Sequence, residues 1–350
     1  MSLYSPIQSV KLLGKWSANR MIGKRRPLVA VLGLTHYCNY YCPMCPYGVS
    51  DKDGQILLEK KYGLSTDQWK IILDKVSKYC IWCIFEGGEP TSRPDFMEIL
   101  KYANSLKMPV TLISNCSLLH TIDLDELKKH ILFMTCSIDS VFEESYCKVR
   151  GVPPHIYERV MKNLRLLVEH DVPHNFNSVI TKWNTEEFIT KSYFDKAKEL
   201  GVDSVSLTFA EDRFDVNYSC LPDKDTMERV CTSVLEYIKS KKLPHVMIPP
   251  LYFEQIIKYG RTMFDECGVW KSLFVNPNGT VMVPCWKFNA KENTYSLLEM
   301  EVDEIWNAPQ WEIAKTCHDC KVLCCVWTSS QPVTTIGNHY IRTMLGNLKI

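Results

Sequence analysis

Residues 28–45 read LVAVLGLTHYCNYYCPMC, and this stretch decides the fold. Its first seven residues, Leu28–Leu34, are apolar and predict a buried strand. Three cysteines follow with the spacing Cys38-x-x-x-Cys42-x-x-Cys45. A loop that follows a strand lets three thiolates converge on one side of a cluster. Three cysteines serve only three irons of a 4Fe–4S cluster, so the fourth iron stays open for a chelating ligand.

The bulk composition is that of a soluble globular protein. The chain has 350 residues, of which 46% are hydrophobic and 23% charged, which favours one α/β domain with a smaller appendage. We find no apolar stretch long enough to cross a bilayer and no signal-peptide core, so we expect a cytosolic protein or one on the cytosolic face of the membrane. The 16 cysteines exceed what packing needs and indicate metal ligation rather than disulfides.

Short apolar runs alternate with helical patterns from residue 28 onward. The predicted strands are Leu28–Leu34, Cys80–Phe85, Val110–Ser114, Phe133–Ile138, Phe176–Ile180 and Ser204–Phe209. Alternating strands and helices imply a parallel sheet with right-handed crossovers. Six units are too few for a closed eight-fold barrel, so we predict a partial (β/α)6 TIM-like barrel. Its ligand site should lie at the carboxyl ends of the strands.

The cysteine spacing resembles the radical S-adenosylmethionine (SAM) superfamily, as do its place after the first strand and Met44 before the last cysteine. Four further motifs extend the resemblance over about Leu28–Phe209: Gly87-Gly88-Glu89-Pro90, Ser114-Asn115, Ser137-Ile138-Asp139-Ser140 and Arg150-Gly151. The alternatives for the first cysteines are a zinc knuckle and plain core packing. Zinc sites favour paired Cys-x-x-Cys elements and four ligands, which makes the zinc knuckle the weaker interpretation. Core packing is likewise weaker than an iron–sulfur cluster.

The resemblance implies a 4Fe–4S cluster on Cys38, Cys42 and Cys45, with SAM chelating the open iron. One-electron reduction of SAM would then yield a 5′-deoxyadenosyl radical that abstracts hydrogen from a substrate, leading to oxidation or bond formation. The expected SAM-binding residues are Met44, Gly87, Gly88, Glu89, Pro90, Asn115, Ser137, Asp139 and Arg150. We assign no catalytic residue. An external electron donor such as ferredoxin or flavodoxin is implied as a partner.

A second set of cysteines lies near the carboxyl end of the chain. Cys267, Cys285, Cys317 and Cys320 form a four-thiolate set that suits a fully ligated iron–sulfur cluster or a structural zinc. Downstream of such a core it resembles the twitch or SPASM extension. Because no cysteine follows Cys325, we expect a twitch-like extension with one auxiliary 4Fe–4S cluster, in which Cys324 or Cys325 could replace one of the four ligands.

These patterns predict three parts: a basic segment over residues 1–26, a radical SAM core over 27–242 and an iron–sulfur extension over 243–350. Ile7, Val10, Leu13 and Trp16 alternate with Lys and Arg, which fits either a basic helix lying on an anionic membrane or a helix packed on the barrel. The segment lacks the interleaved aromatic pattern of nucleic-acid binding.

The sequence leaves the substrate open among three classes. These are a peptide or protein side chain, a lipid or isoprenoid, and a small cofactor precursor. The alternative outside catalysis is a metal-stabilised binding protein that has lost SAM chemistry.

Overall fold

The computed structural model describes residues 26–45, 52–210, 220–285, 288 and 295–320. Its main sheet has eight strands in the order β7-β6-β5-β4-β3-β2-β1-β9, and every neighbouring pair is parallel. These strands are β1 Val29–Gly33, β2 Trp82–Glu86, β3 Val110–Ser114, β4 Phe133–Ser137, β5 His174–Ile180, β6 Ser204–Phe209, β7 His245–Val246 and β9 Ser272–Val275. The sequential order of β1 to β7 is the wall of a partial barrel, so the predicted fold class is confirmed.

The described residues form eleven α-helices, and those that link successive parallel strands cover one side of the sheet. They are α1 Lys52–Tyr62, α2 Thr66–Ser77, α3 Phe96–Ser105, α4 Leu124–Lys128, α5 Glu143–Arg150, α6 Pro154–Glu169, α7 Thr185–Ile189, α8 Ser192–Glu199, α9 Lys224–Lys239, α10 Pro250–Tyr259 and α11 Val302–Trp306. The sequence offers Ser65 or Thr66 as the cap of α2, and Ser65 forms it in a capping box with Gln68. The apolar stripe of α2, which includes Trp69 and Ile72, is fully buried.

The two faces of the main sheet differ in exposure because side chains alternate along each strand. On the helix-covered face, Phe85, Leu112, Cys136 and Leu207 are completely buried. The opposite face, here called the inner face, is partly open towards the carboxyl ends of the strands. Its half-exposed residues include Glu86, Ile113, Thr135, Ser137, Asn177 and Ser206.

Among the helices that the sequence pattern does not predict are α1 and α10. In α1, the apolar residues Ile56, Leu57 and Leu58 are consecutive and exposed, so they give no helical period. The proline-containing stretch Leu243–Leu251 has the sequence of a linker. This interpretation is wrong from Pro250 onward, because Pro250 opens α10 at a position where proline is tolerated. His245–Val246 within that stretch forms β7.

The sequence Asn276-Pro277-Asn278-Gly279 lies between two apolar runs and predicts a hairpin, and the structure confirms the turn. Gly279 has a φ of +81°, and Val275 bridges Val281 in antiparallel fashion. The first arm, β9, also joins the main sheet beside β1, so that sheet continues past residue 242. The domain boundary itself stays a prediction.

Three sequence-based assignments lie outside the described residues: the basic segment up to residue 25, Cys324 and Cys325. The proposed membrane contact therefore stays a prediction. Within the described part of the chain, no helix has the length and apolar character needed to cross a membrane.

Candidate active site

The loop that carries the first three cysteines lies at the carboxyl end of β1 and is held by α1. Gln55 of α1 is buried, and its Oε1 accepts a hydrogen bond from the Cys38 backbone N–H at 3.1 Å. The Tyr40 N–H points to the Cys38 sulfur at 3.4 Å, and Cys45 N–H donates to the Cys42 carbonyl at 3.0 Å. The loop backbone is therefore fixed at each of the three cysteines.

Glu59, one turn further along α1, ties the start of the same loop to the sheet. Its Oε2 accepts from the His36 N–H at 2.7 Å. Its Oε1 lies 3.4 Å from Arg93 Nη1, which also donates to the Leu34 carbonyl at 3.0 Å. Since α1 gives no periodic signal, sequence reasoning misses both Gln55 and Glu59.

Gly87 and Gly88 let the loop after β2 lie directly against the cysteine loop. Gly88 N–H donates to Thr35 O and Glu89 N–H donates to Tyr37 O, both at 2.8 Å. A Cβ on Gly88 would lie 2.0 Å from the Tyr37 carbonyl oxygen. Gly87 has a φ of +131°, in the region that favours glycine. The two glycines thus set how closely the two loops approach each other.

Glu89 ties the carboxyl end of β2 to that of β3. It is 1% exposed, and its carboxylate accepts hydrogen bonds from Thr91 Oγ1 at 2.5 Å, Ser114 Oγ at 2.8 Å and Asn115 N–H at 2.8 Å. Burial raises the pKa of Glu89, and these hydrogen bonds partly oppose the rise. Pro90 is buried and opens a short 3₁₀ helix. Both residues are therefore enclosed in the rim.

Asn115 and Arg150 reach two of the cysteine sulfurs. Asn115 Nδ2 lies 3.9 Å from the Cys38 sulfur and donates to Asn39 Oδ1 at 2.8 Å. Arg150 Nη1 lies 3.9 Å from the Cys42 sulfur. A guanidinium beside a sulfur favours the thiolate that a metal ligand requires.

Asp139 orients Arg150. Its Oδ2 lies 2.7 Å from Arg150 Nε, and its Oδ1 accepts from Val179 N–H at 2.7 Å. Both side chains of the ion pair are buried, and Asp139 is 0% exposed. Strand alternation over Ser137-Ile138-Asp139 would turn Ser137 and Asp139 to one face, but β4 ends at Ser137 and alternation stops there. Only Ser137 is left half-exposed.

The first three cysteines are electrostatic neighbours. Burial, followed by the nearby Glu89, Cys42 and Cys45, raises the pKa of the Cys38 thiol. Burial raises the pKa of Cys42 to about 12, and Arg150 opposes this.

Met44 is half-exposed beside the three cysteines and contacts the core. Among the described residues, no three His, Cys, Asp or Glu side chains are grouped around a point that would take one metal ion.

These contacts fit a bound cluster. Two hydrogen-bond donors lie near the Cys38 sulfur and one lies near the Cys42 sulfur. The backbone of Tyr37 lies close to Gly88. At Gly151, whose φ is +63°, a Cβ would lie 2.3 Å from Tyr41 O, so this turn also lies tightly against the cysteine loop.

The second set of cysteines is placed by a small antiparallel sheet. Its strands are β8 Thr262–Met263 and β10 Asp319–Cys320, and Phe264 N–H donates to His318 O at 2.9 Å. This pairing brings Cys317 and Cys320 onto the segment that leads to Cys267. Cys285 follows the hairpin beside β9. Cys267, Cys285 and Cys317 are buried, and Cys320 is half-buried.

The inner face carries a carboxylate that the sequence analysis does not single out. Glu86 is the last residue of β2, and its side chain makes no hydrogen bond or ion pair with the described residues. Burial raises the pKa of Glu86 to about 7. The signal available in the sequence is its position before Gly87, where strand alternation directs it away from buried Phe85.

Glu86→Gln is expected to stabilise the protein above neutral pH. An acid whose pKa is raised to about 7 in the folded state lowers the free energy of unfolding. This loss of stability is absent below pH 4.5 and reaches its full size above pH 7. Glutamine removes this cost, so the unfolding free energy should rise by about 2 kcal/mol at pH 8, after allowing for the solvent contact of Glu86, and be unchanged near pH 4.5.

Anaerobic urea denaturation at the two pH values measures this effect. Glu158→Gln, on the exposed side of α6, is the matched control and should shift neither value. Equal stability of wild type and Glu86→Gln at pH 8 would contradict the placement of Glu86.

The comparisons with known proteins agree with this geometry. Residues 32–190, somewhat under half of the chain, match the Radical SAM superfamily. The match includes the three cysteines, Gly87-Gly88-Glu89-Pro90, Asp139 and Arg150. The family takes its name from S-adenosylmethionine and uses a 4Fe–4S cluster with it.

Individual relatives extend the likeness. AdoMet-dependent heme synthase of Methanosarcina barkeri is 33% identical over 180 residues, 50% of this chain and 48% of that protein. Antilisterial bacteriocin subtilosin biosynthesis protein AlbA of Bacillus subtilis is 26% identical over 287 residues, 81% of this chain and 60% of that protein. The crystal structure of Streptococcus suis SuiB bound to precursor peptide SuiA shares the fold, with a TM-score of 0.67 and 18% identity over 90% of this chain and 73% of that one. The chain thus spans about half of the first of these relatives and three fifths of the second.

Proposed function

We propose that this protein is a radical SAM enzyme that modifies a peptide or protein side chain. The observation that carries the proposal is the Cys38–Cys45 loop, fixed at the carboxyl end of β1 against Gly87 and Gly88 within a matched radical SAM domain. When bound, the 4Fe–4S cluster and SAM supply a 5′-deoxyadenosyl radical that abstracts hydrogen from an unactivated carbon.

The chain's own residues hold and shape this site. Cys38, Cys42 and Cys45 would hold three irons of the cluster, which would leave the fourth iron for SAM. Arg150, oriented by Asp139, stabilises negative charge on the Cys42 sulfur. Glu89 keeps the ends of β2 and β3 together, so that the glycine loop stays beside the cysteines.

SAM contacts are proposed for the rim residues that the family resemblance indicates. Met44, Gly87, Gly88 and Ser137 are half-exposed at the carboxyl end of the sheet, where a ligand can reach them. Glu89, Pro90, Asn115, Asp139 and Arg150 are buried, so we propose that they act mainly by fixing the backbone and the cysteines.

A peptide substrate is supported by two relatives. One is named for subtilosin biosynthesis, and the other was solved with a precursor peptide bound. The inner face carries neutral polar side chains that make no hydrogen bond to another described residue, namely Thr135, Ser137, Asn177 and Ser206. Such side chains can form hydrogen bonds to a peptide. The electron for SAM cleavage is proposed to come from an external donor such as ferredoxin or flavodoxin.

Anaerobic incubation of the reconstituted protein with SAM and dithionite tests the catalytic proposal through 5′-deoxyadenosine formation. A metal-stabilised binding protein, the alternative function, would bind iron or zinc and form none.

We also propose an auxiliary 4Fe–4S cluster on Cys267, Cys285, Cys317 and Cys320, with Cys324 or Cys325 as possible replacements. The pairing of β8 with β10, which brings the last two of the four beside the Cys267 segment, supports it. Full cysteine ligation suits a cluster that exchanges electrons without binding substrate.

The variant Cys267→Ala/Cys317→Ala is expected to lose about four of about eight irons per chain after reconstitution, because it lacks two ligands of one cluster. Iron quantification with EPR or Mössbauer spectroscopy measures the loss. Cys231→Ala, a buried thiol on α9, is the control and should keep all the iron. One zinc per chain at this site and no second cluster signal would contradict the proposal.

A further inference from the structure

Glu86 faces the partly open inner face of the sheet. In the parallel register, Glu86 lies opposite Gly33 of β1, which has no side chain to fill the neighbouring space. On its other side, the position after the Phe85–Leu112 pair is Ile113. The two neighbouring register positions therefore offer Glu86 neither a hydrogen bond nor a charge.

Glu89, three residues later, differs from Glu86 in having several hydrogen-bond partners. Glu89 is enclosed in the rim and accepts hydrogen bonds from Thr91, Ser114 and Asn115. Glu86 is half-exposed, and its carboxylate makes no hydrogen bond or ion pair within the described residues. A carboxylate that is partly removed from water and has no partner in the protein is available to a ligand, and such groups are frequent at binding sites.

Four other polar residues of the inner face are neutral and also make no side-chain hydrogen bond within the described part of the chain. Thr135, Ser137, Asn177 and Ser206 are half-exposed, and none of their side chains is hydrogen-bonded to another described residue. The register links them, because Ser137 lies beside Asn177 and Asn177 beside Ser206. Glu86 is thus the one charged side chain among these named inner-face positions, at the end of the sheet where the cysteine loop lies.

We propose that Glu86 determines substrate specificity by binding the positively charged side chain of a lysine or arginine in the substrate peptide. This inference rests on the proposed function. The long apolar stem of lysine or arginine can extend along the inner face while its cationic end reaches Glu86. The ion pair replaces the missing partner of Glu86 and fixes the neighbouring carbon atoms of the substrate near the cysteine loop.

The burial that raises the pKa of Glu86 to about 7 supports this assignment. In the free protein, burial disfavours the charged form of Glu86. Among the described residues, burial is the cause of the raised pKa, with no charged neighbour beside it. A bound cation favours the charged form, so it supplies what the unliganded site lacks.

The test uses three N-acetylated pentapeptide amides, Gly-Ser-Xaa-Ser-Gly, in which Xaa is lysine, norleucine or glutamate. Norleucine keeps an unbranched apolar stem but has no ammonium group. Binding to the full, anaerobically reconstituted chain is measured by calorimetry at pH 8 with saturating SAM and no reductant. Wild type should bind the lysine peptide about tenfold more tightly than the norleucine peptide, and the glutamate peptide most weakly.

In Glu86→Gln, the ratio between the lysine and norleucine peptides should fall to about one, because the charge-assisted contact is lost. Glu158→Gln removes the same charge from an outer helix and should keep the tenfold ratio if the effect is local. Equal binding of the lysine and norleucine peptides by wild type, no binding of either, or a preference that persists in Glu86→Gln would each overturn the proposal. The wild-type comparison holds even where the variant fails to fold.

This test is separable from that of the proposed function, since binding is measured without reductant. Cleavage of SAM without a lysine preference would overturn only the assignment of Glu86. A lysine preference without SAM cleavage would instead overturn the proposed function.

Discussion

Gly88→Ala is expected to destabilise the protein by about 3 kcal/mol or more and to impair cluster assembly, because the new Cβ cannot be accommodated by a side-chain movement. That Cβ would lie 2.0 Å from Tyr37 O and 2.4 Å from Tyr37 C, both of them backbone atoms. Tyr37 directly precedes Cys38, so relief of the clash must move the cysteine loop. Urea denaturation and iron content after anaerobic reconstitution measure the two effects.

Gly260→Ala is the matched control for this variant. Gly260 also has a positive φ, +69°, but a Cβ there would meet no atom within 4 Å. It should cost only about 1 kcal/mol for the left-handed backbone and leave the iron content unchanged. Equal stability and equal iron in the two variants would contradict the close contact between the glycine loop and the cysteine loop.

Replacing Cys38, Cys42 and Cys45 together with alanine is expected to remove about four irons per chain and all SAM cleavage. These thiolates are the proposed ligands of the cluster that binds SAM, whereas the auxiliary cluster has its own cysteines. The residual iron should therefore give a cluster signal that disappears when Cys267 and Cys317 are also replaced. A triple variant that keeps the full iron content would contradict this ligand assignment.

The sequence was sufficient to predict six of the eight strands of the main sheet, because these strands carry strong local signals. Val110–Ser114 and Ser204–Phe209 have the predicted limits, and the other predicted strands differ by one or two residues at an end. Each is a short apolar or alternating run between turn residues and a helix. The cysteine loop was predictable for the same reason, since ligand type and spacing are local properties of the chain.

What could not be predicted depends on contacts between distant segments. The pairing of Ser272–Val275 with β1 joins residues more than two hundred positions apart, and no local pattern indicates it. Gln55 supports the Cys38 backbone from a helix without amphipathic spacing. The different environments of Glu86 and Glu89 depend on which strand residues lie beside them, which only the register reveals.

The most direct test of the central claim is reductive SAM cleavage by the wild-type protein. Reconstituted anaerobically and given SAM and dithionite, it should form 5′-deoxyadenosine and methionine in equal amounts, measured by liquid chromatography with mass spectrometry. The variant lacking Cys38, Cys42 and Cys45 should form neither above the level without protein. A wild-type protein with its cluster assembled that forms no 5′-deoxyadenosine, or a triple variant that still forms it, would contradict the account.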